Sequence, residues 1–138
     1  MKPASLILSM ILTATSGFVQ SVPSSKMARI LLVDDDPNLL NMMGQYCGSN
    51  GHWTCEAKDG ARAFELFQAH VFDLVITDLQ MPVMGGLELT QHIRHLNKHV
   101  PIVIISGASV EDIKITEIFL EKPFSMNEFL NIVDSLTQ

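Results

Sequence analysis

From residue 27 onward two periodicities alternate along the chain. Short apolar runs at residues 30–33, 53–57, 74–77, 102–105 and 118–120 read as strands. Runs of Ile, Val and Leu without polar alternation fit strands covered on both faces. Between them, apolar residues recur at helical spacing. Leu39, Met42, Met43 and Tyr46 mark one helix, Ala63, Phe64 and Phe67 a second, and Leu89, Ile93 and Leu96 a third. Asp36 stands as N-cap of the first, with Pro37 at its first helical position. A last helix follows Ser125, whose spacing to Glu128 is that of a capping box, and Phe124 is placed to staple against Phe129. Five strands alternating with helices predict an α/β fold, a doubly wound parallel sheet with helices on both faces.

In such a fold ligands bind in the crevice beyond the carboxyl ends of the strands. Asp34 and Asp35 end the first strand, Asp78 the third, Ser106 the fourth and Lys122 the fifth. The stretch "RILLVDDDPN" sets three aspartates directly behind a buried run. If strands one and three are neighbours, Asp34, Asp35 and Asp78 converge, and each like-charge pair at about 4 Å costs roughly 4 kcal/mol at an effective dielectric near 20. A divalent cation reverses that sign, and an acidic all-oxygen site facing water suits Mg²⁺. Lys122 and Ser106 add an ammonium and a hydroxyl across the same crevice. The set makes a receptor for a phosphoryl group in transfer, with Asp78 as an oxygen nucleophile and an aspartyl phosphate as product. A single strand-end aspartate is more often a turn residue, and Asp36 is read only as a cap; the reading rests on five suitable groups at one edge.

Composition narrows the classes. The chain has 138 residues, 47% hydrophobic and 17% charged, enough for one compact core. Nine basic residues scattered singly, against a formal charge of −6, set aside binding to nucleic acid. Cys47 and Cys55 have none of the spacings of zinc or redox sites and read as reduced thiols. His92, His95 and His99 read as one solvated helical face.

The segments "ILLVDDDP", "DLVITDLQMPVMGGLEL", "IVIISG" and "FLEKPF" resemble, in that order, the receiver domain of two-component response regulators, over nearly all of residues 27–138. The resemblance implies a flavodoxin-like (βα)5 fold with strand order 2-1-3-4-5. It implies that Asp78 accepts a phosphoryl group from a sensor histidine kinase or a histidine phosphotransfer protein. Asp35, Asp78 and the backbone carbonyl of Gln80 would ligate Mg²⁺, with Asp34 acting largely through metal-bound water. Ser106 and Lys122 would contact the phosphoryl oxygens. Ser106 and Phe119 fall where the family has its switch pair; a plain core aromatic is the other reading of Phe119. The Lys122–Pro123 bond looks like the family's cis peptide. The chain would be a stand-alone phospho-acceptor rather than an enzyme, signalling to a downstream protein target, with neither nucleic acid nor membrane as partner. A small phosphohydrolase with a nucleophilic aspartate is the alternative, but it resembles a pattern with a second acid where Gln80 stands. A receiver-like module that binds without being phosphorylated would usually lack an Asp or the Lys, and none is missing.

One departure from the family stands between Ser106 and Lys122, where this chain is roughly six residues, about one and a half turns of helix, shorter. A parallel crossover needs at least about 10–12 residues, which residues 107–117 only just supply. Ser109 with Asp112 resembles a helix start, so a shortened fourth helix is expected there. The face it would help form is where the family reads phosphorylation, so a monomer is expected even on activation.

Residues 1–26 form a leader with Lys2 near its start and an apolar stretch over 6–12, like a secretory signal. Ser and Thr interrupt it too often for it to span a bilayer. Phosphoryl donors for receiver chemistry are made in the cytoplasm, so the leader is expected to be an unstructured upstream stretch, with translation starting at Met27. Peptide mapping of the native protein should find its N-terminus at Met27; an earlier or signal-cleaved N-terminus refutes this.

Overall fold

The computed structural model describes residues 27–107 and 117–138. In chain order these form β1 (Arg29–Val33), α1 (Pro37–Ser49), β2 (Trp53–Ala57), α2 (Gly60–Ala69), β3 (Leu74–Asp78), α3 (Gly86–Leu96), β4 (Ile102–Ser106), β5 (Ile118–Glu121) and α4 (Met126–Leu136). The strands make one sheet in the order β2-β1-β3-β4-β5, every pair parallel. This is the expected architecture. The shortened helix expected between β4 and β5, with Ser109 and Asp112, falls in residues 108–116, outside the described residues.

Because successive side chains of a strand point to opposite faces, each central strand feeds two cores. Ile30, Leu32, Ile76 and Ile105 pack with Met43 of α1 and Phe129 of α4. Leu31, Val33, Val75 and Ile104 pack with Ala63 of α2 and Leu89 and Ile93 of α3. All are essentially excluded from water, and full burial of one such large side chain is worth roughly 1.5–3 kcal/mol. The edge strands β2 and β5 are only partly covered. At the start of β2, Trp53 lies under the Arg29 guanidinium, 4.1 Å from ring centre to Cζ.

The helix ends follow the sequence. Asp36 caps α1, its Oδ1 accepting from Asn38 N at 2.9 Å, with Pro37 opening the helix. Ser125 and Glu128 form the capping box of α4, and the Phe124 and Phe129 rings stack at 6.3 Å.

Three expectations change. Of the four residues expected to mark α1, Met43 is buried and Leu39 packs against the core, whereas Met42 and Tyr46 are exposed and the buried stripe is completed by Leu40 and Cys47. Two stripes one residue apart, 39-42-46 and 40-43-47, fit the same spacing; the sheet takes the one whose cysteine serves as a small hydrophobe. Leu96, the last residue of α3, is exposed, and His99 lies beyond that helix, so the three histidines do not share one helical face. His92 instead has Glu88 one turn before it, 3.6 Å away. Both cysteines are unpaired and pack on opposite faces of the sheet. Burial pushes the Cys47 thiol up to about 12.

Helix α3 starts on Gly85 and Gly86 without a side-chain cap. Gly86 N donates to Leu79 O at 2.8 Å, and a Cβ at Gly86 would overlap the Asp78 carbonyl oxygen. The close approach of α3 to the end of β3 therefore demands glycine. Gly86→Ala should cost about 1–3 kcal/mol, read as a lower denaturant midpoint. Gly48→Ala, in a helix with open space around it, should gain about 0.5–1 kcal/mol. A Gly86→Ala variant as stable as the parent would refute the overlap.

Candidate functional site

The carboxyl ends of β1 and β3 lie side by side because the two strands pair directly, Val33 against Thr77. The three consecutive aspartates behind β1 take three different environments. Asp34 is fully buried, and its Oδ1 accepts from Asp36 N at 2.8 Å. Asp35 is exposed. Asp36 turns away to cap α1. Asp78, the last residue of β3, is buried, and its Oδ1 accepts from Leu79 N at 3.0 Å. One carboxylate oxygen from each of Asp34, Asp35 and Asp78 lies within 4.8 Å of the others.

The other half of the rim comes from β4 and β5. Ser106 ends β4 and is buried, and its carbonyl accepts from Lys122 N at 2.8 Å. That bond carries the parallel ladder one residue beyond β5 and aims Lys122 back across the rim. Its Nζ reaches 3.5 Å from Asp78 Oδ1 and 3.9 Å from Asp34 Oδ2. Asp78, Leu79, Gln80, Ser106, Gly107 and Lys122 line a cleft of about 400 Å³. The Lys122–Pro123 peptide is cis, as expected. Phe119 is half-buried on β5 and packs against the α2 and α3 face of the sheet.

Burial is the main cause that raises the Asp34 carboxyl above its ordinary range, with Asp78 adding to it and the Asp36 amide and Lys122 opposing. Burial likewise raises Asp78, against the pull of Lys122. Lys122 thus offsets only part of the cost of gathering these acids. Asp34 Oδ2 is buried without a hydrogen bond, a costly state for a carboxylate oxygen. A cluster made only of carboxylate oxygens, with one buried oxygen lacking a donor and one member open to solvent, fits a hard divalent cation that keeps part of its water shell.

The fold therefore gathers every proposed rim residue: Asp34, Asp35, Asp78, Gln80, Ser106 and Lys122. Sequence reasoning passed over Gly86, whose only signal was the Gly-Gly pair opening α3. It also passed over Val83, which has a φ of 71° and turns the β3–α3 loop, Met84 N donating to Pro82 O at 2.8 Å. That conformation is uncommon for a β-branched residue.

The family model for the response regulator receiver domain matches residues 30–134. This chain belongs to that family. The receiver is 35% identical over 132 residues to the sensor histidine kinase TmoS of Ectopseudomonas mendocina, with 90% of this chain and 14% of that protein covered. It is 32% identical to the transcriptional regulatory protein GlrR of Escherichia coli strain K12, with 80% of this chain and 26% of that protein covered. It thus spans a small part of these relatives. Among solved structures it resembles the chemotaxis response regulator CheY4 of Vibrio cholerae, with a TM-score of 0.75 and 28% identity over 80% of this chain and 99% of that one. It also resembles the response regulator TrrA of Thermotoga maritima, solved in complex with Mg²⁺-BeF, with a TM-score of 0.73 and 30% identity over 80% and 99% of the two chains.

The carboxyl shifts set a pH dependence for the metal-free receiver. A carboxyl raised on folding contributes stability below its unfolded value, near 3.8, and loses it as the pH rises through the folded value. In chelator at pH 7, Asp78→Asn should therefore melt above the parent, by about 4 °C for each kcal/mol recovered, and the gap should close toward pH 4. A variant that melts below the parent at pH 7 would contradict this.

Proposed function

We propose that this receiver accepts a phosphoryl group on Asp78 in a Mg²⁺-dependent reaction and relays the signal through protein contacts. The observation that carries the reading is the convergence of three carboxylates and one ammonium on a single strand-end rim, in a member of the receiver family. Asp35, Asp78 and the carbonyl of Gln80 would hold the cation, with Asp34 behind them. When bound, Mg²⁺ neutralises the charge on the acids and on the phosphoryl group.

The chain's own groups do the rest. An Asp78 carboxylate oxygen attacks the phosphorus of a phosphohistidine, an O–P bond forms, the P–N bond breaks, and the imidazole leaves with the electron pair. Lys122 and Ser106 hold the equatorial oxygens. Gln80 offers no acid or base to hasten hydrolysis, which separates this reading from a phosphohydrolase. The donor is a sensor histidine kinase or a histidine phosphotransfer protein, so the receiver acts in the cytoplasm. Ser106 and Phe119 form the switch, and a downstream protein reads it while the receiver stays monomeric.

Acetyl phosphate with Mg²⁺ should add one phosphoryl group by intact mass, lost in base and stable in acid, and none in chelator. Asp78→Asn should abolish the addition, and Lys122→Met should slow it by roughly 10²–10³. Undiminished labelling of the Asp78→Asn variant would defeat the assignment. Light scattering with beryllium fluoride should show no dimer.

A further inference from the structure

The two halves of the rim hang from different parts of the sheet. Asp34, Asp35 and Asp78 follow or end β1 and β3, interior strands paired on both sides. Lys122 follows β5, an edge strand of four residues paired only with β4. A strand that slips by one residue moves its side chains to the other face, which would carry Lys122 away from Asp78. Four ladder positions on one side are a weak guard against that, so the entry into β5 matters.

Glu117 immediately precedes β5, and both of its carboxylate oxygens are held by Arg94 of α3, Nε to Oε2 at 3.0 Å and Nη2 to Oε1 at 2.7 Å. The two side chains are 26% and 11% exposed, so the pair is largely shielded from water. The remaining Arg94 nitrogen, Nη1, donates to Val100 O at 2.7 Å and Asn97 O at 3.3 Å. The turn beneath it is itself braced, Asn97 Oδ1 accepting from His99 N and Val100 N at 2.9 Å each. A planar fork bound on two edges fixes angle as well as distance. It stands about 16 Å along the strand from Lys122.

We propose that Arg94 and Glu117 are positioning residues for Lys122: by fixing where the chain enters β5, the fork fixes where the ammonium emerges beside Asp78. This rests on the phosphoryl-acceptor reading of the rim. The acids on β1 and β3 do not depend on the fork, so breaking it separates cation binding from phosphoryl transfer.

The experiment uses the full chain with Glu117→Gln and Arg94→Lys, which keeps the charge and loses the fork. It measures Mg²⁺ affinity by calorimetry, the rate of Asp78 labelling by acetyl phosphate at saturating Mg²⁺, and amide exchange. Mg²⁺ affinity should be unchanged while labelling slows roughly ten- to a hundredfold, the scale of a misplaced catalytic group. Exchange should quicken at residues 118–122 and stay as in the parent at residues 30–33. Unchanged labelling in a folded variant, or Mg²⁺ affinity falling in step with labelling, would overturn the proposal. If Glu117→Gln does not fold, Arg94→Lys decides alone. If the parent itself is not labelled at Asp78, the phosphoryl-acceptor reading fails, and amide exchange still decides whether the fork holds β5.

Discussion

Parallel pairing of β1 with β3 is the constraint on which the rest turns. It places the ends of two buried strands side by side, with Asp78 closing β3 and Asp34 following β1 directly. The core on either face is filled by the same strands, so the acids cannot move apart without unpacking both hydrophobic layers. Stability of the fold and charge repulsion at the rim are thus opposed, and the repulsion is met locally. The Asp36 amide binds one Asp34 oxygen, the Leu79 amide binds Asp78, and Lys122 spans both carboxylates. A buried oxygen of Asp34 still lacks a hydrogen-bond donor, so the repulsion is met only in part.

Much of this could be read before the fold was known, because the central strands are largely apolar runs and the reactive groups stand directly at strand ends. Asp78 and Ser106 even close their strands, one residue beyond the apolar runs at 74–77 and 102–105. Local chemistry was legible for the same reason: the Asp36 cap and the Ser125–Glu128 box involve groups two and three residues apart. The α1 stripe misled because two apolar rows one residue apart satisfy the same period, and only contact with the sheet selects between them. Arg94 and Glu117 were invisible for a different reason. They are 23 positions apart, and nothing in either neighbourhood announces the other. Gly86 was likewise silent until α3 was seen against the carbonyl of Asp78.

The receiver joins a stiff centre to a lightly held margin. The acids belong to strands flanked on both sides, whereas Lys122 depends on an edge strand and on one forked ion pair. A phosphoryl group bound between the two would bridge parts of the sheet that differ in how firmly they are held.

Trp53 has a practical consequence of its own. It is the only tryptophan in the chain and opens β2 at the end of the sheet opposite Asp78, with the Arg29 guanidinium resting on its ring. Its indole is remote from the rim. Its emission therefore follows the melting of the sheet at the end far from the rim. An optical readout of loading calls instead for a probe introduced near the rim.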